Sequence, residues 1–159
     1  MKIAAVEEKD KDWVREVALK EYGAKHCVFL GRKFFPENLP GFYAENERLQ
    51  KVGLITYEIN EDTCEIMTLN AFKAFQGIGN RLIKAVFQKA KEQHCKKIIV
   101  RTTNDNLDAL RFYQRRGFQL VKIYPKSFDI DRKIKPAIPK IGCYQIPMND
   151  AIELEYFLN

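Results

Sequence analysis

Histidine is almost missing from this chain: His26 and His94 are the only two among 159 residues. A metal site built on imidazoles therefore lacks ligands, and none is expected. The four cysteines, Cys27, Cys64, Cys95 and Cys143, are scattered and form no C-x-x-C pair. They read as reduced thiols of a cytoplasmic protein, not as a disulfide frame. No apolar run approaches the ~18–20 residues of a membrane span, so no membrane partner is expected. The opening stretch MKIAAVEEKDKDW turns charged too soon for a signal peptide. There is no G-x-x-x-x-G-K-[ST] phosphate loop, and G-x-G-x-x-G fails because residue 82 is Leu. Basic tails, Arg-Gly repeats, internal repeats and low-complexity segments are also absent, which makes nucleic acid an improbable partner.

What remains is ordinary globular material. The chain is 46% hydrophobic and 30% charged, enough to bury a core as one domain over 1–159. The net charge of +6 fits a mildly basic protein, an anionic cofactor or, as the weaker alternative, nucleic acid. Residues 2–6 read as a strand. Over 10–22, Trp13, Val14, Val17 and Ala18 share one helical face. The stretch 23–41 reads as an irregular loop or short helix. Strands are expected at 42–46, 51–59 and 63–69, the last two joined by a turn at Asn60-Glu61-Asp62. A helix over 77–93 carries Ile78, Leu82, Ile83, Val86, Phe87 and Ala90 on one side. The run 97–102 reads as a central strand, making 63–102 a parallel strand–helix–strand crossover. A helix at 107–116 stops at Gly117, and a strand follows at 118–124. Residues 125–147 hold four of the six prolines and read as a long loop with room for a helical turn. A last strand is expected at 151–158.

The stretch AFQGIGNRLI, 74–83, places two glycines at the mouth of a good helix. The first amides of a helix have no partner within it and carry the positive end of its dipole. An anion fits there, and small residues let it approach the backbone. Gln76, Gly77, Ile78, Gly79 and Asn80 thus form a candidate phosphate cradle, with Arg81 and Lys84 adding charge. The alternative is a tight turn that needs glycine only for packing. Further on, Asn106, Ala109, Phe112, Tyr113, Gly117 and Phe118 make the pattern N-x-x-A-x-x-F-Y-x-x-x-G-F.

Together these two stretches, in this order of elements, resemble the GNAT family of N-acetyltransferases. The resemblance covers about 2–124 and 151–158. It implies an α/β (α+β) fold: a mostly antiparallel sheet of six to seven strands with one splayed parallel pair, flanked by helices. It implies acetyl-CoA as co-substrate, lying between strands 63–69 and 97–102. Its pyrophosphate would rest on the amides of Gln76 to Asn80. Its pantetheine would pair near Leu69 and Asn70 and face Asn106, and Tyr113 would lie near the sulfur. One departure is Ala74, which stands where the family pattern has Arg or Gln. The loop from Leu69 to Gly77 is also about two residues short.

The implied reaction is direct attack of an amine on the thioester within a ternary complex. Tyr113, a phenol with an ordinary pKa near 10, suits protonation of the leaving sulfur; its other reading is a packed aromatic. Glu65 alternates with Met67 and Leu69 on an apolar strand, and burial would raise its pKa toward that of a useful base. It is equally read as a solvent-facing residue, or as a relay for a water base. A backbone N–H near Leu69 or Asn70 would meet the oxyanion. His94 reads as a surface residue, and His26 as a minor acceptor-site candidate.

The resemblance places the acceptor, a primary amine of a small molecule or peptide, near 20–42 and 125–147. The second segment reads either as a lid whose Arg132 and Lys135 hold an acceptor bearing both amine and acid, or as a solvated loop. A homodimer paired through the 151–158 strand is a further expectation. The rival functions are a non-catalytic acyl-CoA-binding module of the same fold and a basic nucleic-acid binder.

Overall fold

A computed structural model describes residues 1–73 and 76–159; Ala74, where the family pattern has Arg or Gln, lies outside the described residues. In chain order the elements are β1 (Lys2–Ala5), α1 (Lys11–Tyr22), β2 (Cys27–Phe29), β3 (Arg32–Phe34), β4 (Gly41–Glu45), β5 (Lys51–Asn60) and β6 (Thr63–Ala71). Then come α2 (Ile78–Glu92), β7 (Lys97–Thr103), α3 (Leu107–Gln114), β8 (Gln119–Tyr124), α4 (Ser127–Ile134) and β9 (Ala151–Phe157). Seven strands form one sheet in the order β1-β4-β5-β6-β7-β9-β8, and β2 pairs with β3 apart from it. Only β6 and β7 run parallel within the sheet. The connection between them contains α2, as a parallel pair requires. None of the helices among the described residues is long and apolar enough to cross a membrane.

The two faces of the sheet are covered by different helices, and β5 shows why. Val52 to Tyr57 are all buried, so the strand is apolar on both sides. Ile55 joins Leu82, Ile83, Val86 and Ala90 of α2 in the main core. Leu54 instead packs with Val14 and Val17 of α1. Each such aliphatic side chain contributes about 1.5–3 kcal/mol when fully buried. Gly53 allows α2 to lie this close. A Cβ there would sit 2.5 Å from Ile78 Cγ2 and 3.0 Å from both the Asn70 carbonyl oxygen and Leu82 Cδ1.

Three expectations change. The stretch 23–41 holds the expected short helix, a single turn at Pro36–Asn38, but also an unexpected hairpin. Leu30 and Gly31 both take positive φ, 49° and 77°, the requirement of a two-residue turn of the primed type. Asp131 of α4, fully buried, accepts both of their amides at 3.2 and 2.7 Å. The segment 125–147, expected as a long loop with room for a helical turn, holds the two-turn helix α4. Finally, β9 lies between β7 and β8, so its backbone is already paired on both sides. The strand 151–158 is therefore not a free edge for a second copy; the sheet ends on β1 and β8.

Candidate active site

The site begins where a pair of strands stops pairing. The parallel register of β6 and β7 runs from Thr63↔Lys97 to Ile66↔Val100 and no further. On its other side β6 pairs with β5, but Thr56 faces Thr68 and Tyr57 faces Ile66, so Met67 is an extra, bulged residue. A bulge bends its strand, and this one falls where β6 leaves β7. Past it, the β7-facing backbone of β6 has no partner strand, although β7 continues to Thr103 paired with β9.

A cleft of about 550 Å³ opens in that gap, within the usual range for ligand sites. Glu65, Leu69, Asn106 and Tyr113 line it, so the structure brings these four expected residues together. Asn70 pairs with Leu54 and accepts a hydrogen bond from the Tyr22 hydroxyl at 2.9 Å. Tyr22, at the end of α1, lines the cleft as well. Asn106 is the N-cap of α3, its Oδ1 accepting from the Ala109 amide at 3.1 Å; this is a helix-capping role in its own right. Tyr113 is 5% exposed, and burial, followed by the neighbouring Tyr22 phenol, pushes its pKa above the ordinary value. Its hydroxyl has no hydrogen-bond partner among the described residues.

Glu65 ends an ionic chain centred on Arg101. Arg101 donates from Nη1 to Glu65 at 2.9 Å and from Nε to Glu153 at 2.7 Å. The Tyr124 hydroxyl donates to the same Glu153 oxygen at 3.1 Å. Burial raises the pKa of Glu65, and Arg101 opposes that shift without cancelling it. For Arg101, burial works against the charge, but Glu65 and Glu153 outweigh it and raise the pKa. Glu65 therefore does not simply face solvent. It is an ion-paired carboxylate whose other oxygen, Oε2, accepts no hydrogen bond among the described residues. Cys27 lines the same cleft, but burial pushes its thiol up to about 11, so it is no thiolate nucleophile at neutral pH.

The glycines at the mouth of α2 have separate causes. Gly77 is the N-cap at φ 70°, and no side chain caps the helix there. A Cβ at residue 77 would touch nothing within 4 Å, so backbone conformation alone asks for glycine. Gly79 packs closely on α3, where its Cβ would come within 3.3 Å of the Phe112 ring. The first helical bond runs from the Arg81 amide to the Gly77 carbonyl at 3.1 Å. The amides of Ile78, Gly79 and Asn80 precede it and have no acceptor within the helix. Ile78 itself is a core residue, 1% exposed, while Gln76 and Gly77 are exposed. These cradle residues lie outside the lining of the cleft, at the helix mouth that follows β6.

The cations near the cradle differ from expectation. Arg81 turns away and donates to the Met1 carbonyl at 3.3 Å. Arg116 takes up a position beside Asn80, donating to its Oδ1 at 3.3 Å, and lies 3.6 Å over the Phe112 ring. Burial, then Arg115, lowers its pKa from the arginine value. The sequence signal for Arg116 was only its place in the Arg-Arg-Gly-Phe run before β8. The acceptor lid is also corrected. Arg132 donates to the carbonyls of Ile138, Pro139 and Met148, and Lys135 to those of Tyr22 and His26, each at 3.0 Å. Arg132 holds the segment together and Lys135, which also lines the cleft, ties it to the end of α1, while 137–139 meet the cleft as an apolar wall of Ala137, Ile138 and Pro139.

Comparison with known proteins agrees with this architecture. The model of the Acetyltransferase (GNAT) family matches residues 6–118. The uncharacterized protein YdhI of Bacillus subtilis (strain 168) is 36% identical over 142 residues, covering 89% of each chain. An IAA acetyltransferase from Bacillus cereus ATCC 14579 superposes with a TM-score of 0.74 at 22% identity over 99% of both chains. A Bacillus subtilis acetyltransferase solved in complex with CoA gives 0.72 at 18% identity, again over 99% of both. The splayed β6–β7 pair, the helix mouth at Gly77 and the family match lead to one statement: this chain belongs to the GNAT acetyltransferase family.

Proposed function

We propose that the protein is an N-acetyltransferase that moves the acetyl group of acetyl-CoA to a primary amine by direct attack. The observation that carries this reading is that Glu65 and Tyr113 face one cavity, which opens where β6 leaves β7. The residues fit acetyl-CoA. The unpartnered β6 backbone past Ile66 suits a strand-like pantetheine arm, near Leu69, Asn70 and Asn106. The amides of Ile78, Gly79 and Asn80, which have no acceptor among the described residues, suit a pyrophosphate, with Gln76 and Gly77 leading into them and Arg116 close by. When bound, acetyl-CoA supplies an activated thioester.

The chain's own groups move the protons. Glu65, through Oε2 or a water on it, takes one proton from the acceptor ammonium and passes it to solvent. The freed amine forms the new C–N bond as the C–S bond breaks. Tyr113 delivers a proton to the sulfur, and the proton lost from the acylated nitrogen replaces it. One proton is released overall. Tyr113 is protonated throughout the neutral range, because burial raises its pKa.

The test has two steps. A thermal melt is run with acetyl-CoA, CoA, ATP and a short oligonucleotide, followed by release of free CoA thiol over a panel of primary amines. A ligand at 100 times its Kd adds about 2.7 kcal/mol of stability, so a shift with acetyl-CoA alone and amine-dependent thiol release are expected. A shift without turnover of any amine would make the protein an acyl-CoA-binding module. An equal shift with the oligonucleotide would point to nucleic acid.

A further inference from the structure

A second, smaller chamber of about 290 Å³ adjoins the cleft. Phe29, Phe34, Glu65, Met67 and Arg101 line both cavities, while Leu30, Arg32 and Tyr124 line the smaller one alone. Glu65 thus stands in the wall common to the two. The volume lies at the lower end of the range for ligand pockets, the size for a small organic molecule and too small for a coenzyme. The chamber lies under the β2–β3 turn, which buried Asp131 fixes through two amides, so its shape is built into the fold.

We infer that this chamber is the acceptor pocket, and that it takes a small primary ammonium on an apolar or aromatic body carrying no carboxylate. The inference rests on the N-acetyltransferase reading above. Its basis is how the charges around the chamber are paired. Arg32 is held in a two-point pair by Glu58, at 2.6 and 2.8 Å, and these two charges cancel. Arg101 is shared between two carboxylates, Glu65 and Glu153, while Lys122, cross-strand from Glu153, stands over the Tyr124 ring behind the chamber wall. Of this group, Glu65 is the carboxylate that lines the chamber, and its Oε2 is without a partner among the described residues. An ammonium would pair with that free oxygen. A carboxylate on the same molecule would find both lining arginines already holding carboxylates. The remaining walls are two phenylalanines, a leucine, a thioether and a tyrosine, which favour an apolar body; the Tyr124 ring already carries Lys122 and Arg101, and the phenylalanine faces attract a further cation. This selectivity is the opposite of that expected from a lid in which Arg132 and Lys135 hold an acid.

The test is calorimetric titration of the full chain, free and saturated with CoA, with phenethylamine, phenylalanine and 3-phenylpropionate. These probes share a phenyl body and differ only in charged groups. Phenethylamine is expected to bind at least tenfold tighter than phenylalanine, with 3-phenylpropionate weakest. Leu30→Trp fills the chamber from a position outside the cleft, and should weaken phenethylamine at least tenfold while leaving the Kd of CoA unchanged. Equal affinity for phenylalanine and phenethylamine overturns the inference, as does a folded Leu30→Trp protein that binds phenethylamine normally. Absence of CoA binding would instead overturn the acetyltransferase reading. CoA binding with no phenethylamine binding to either form removes the chamber assignment alone.

Discussion

Replacing Tyr113 with Phe takes one oxygen atom out of the cleft and leaves the packing in place. The ring sits edge-on to Phe112 and Phe118, with centroids 5.2 and 5.3 Å away, and those contacts survive the change. The hydroxyl has no partner to lose among the described residues, so unfolding stability should move by less than about 1 kcal/mol, the scale of one net hydrogen bond. The effect on turnover should be far larger. A positioned general acid contributes about 10²–10⁴ in rate, which at 1.36 kcal/mol per tenfold is about 2.7–5.4 kcal/mol of barrier. The assay is kcat and kcat/KM for free-thiol release with the best amine, beside urea unfolding of both proteins. A wild-type alkaline limb from this phenol should lie above its ordinary value, because burial raises the pKa, and should vanish in Tyr113→Phe. A kcat within threefold of wild type, with unchanged stability, would refute the acid role and leave Tyr113 as a packed aromatic.

Other perturbations separate function from architecture. In Glu65→Gln, kcat should fall about 100-fold, while stability changes little because Arg101 keeps Glu153. The wild-type acidic limb should lie above 4.5, since burial raises the Glu65 pKa; activity rises with pH as the carboxyl ionises, and the limb should disappear in the variant. The same raised pKa stabilises the fold most below 4.5, and this contribution is lost as pH rises through the folded value. Comparing urea midpoints of wild type and Glu65→Gln across that range checks the sign. Lys135→Met removes donors from two carbonyls and should cost about 2 kcal/mol in urea unfolding; no loss would show that α4 does not brace α1. In Gly79→Ala, helix propensity improves by about 1 kcal/mol against a 3.3 Å approach to Phe112, so the midpoint should hardly move. The added Cβ should nevertheless weaken acetyl-CoA at least tenfold, and unchanged affinity would argue against a phosphate cradle at this helix mouth.

Much of this was legible along the chain, for local reasons. The α2 stripe from Ile78 to Ala90, the helix start at 107, the stop at Gly117 and the alternation in β6 are short-range patterns, and each formed within a few residues of its expected bounds. The β2–β3 hairpin was hidden because its strands have three residues each, too few for a period of two to show. Its turn places Leu30 in a left-handed conformation that leucine does not favour alone; Asp131, 100 residues away in sequence from Gly31, holds it. Helix α4 was obscured by the prolines and charges around it, since its buried face depends on Phe128 and Asp131 meeting elements far back in the chain.

The sequence by itself determined the strands and helices from β4 to β8, the glycines at the mouth of α2 and the pattern around Tyr113, because strand and helix periodicity and glycine chemistry act over a turn or two. Only the tertiary structure decided that β9 runs inside the sheet, that Arg116 and not Arg81 stands by the cradle, and that Glu65 shares Arg101 with Glu153. Those outcomes depend on strand order and on which long side chains meet across it, and the residue spacing along one strand carries no record of its neighbours.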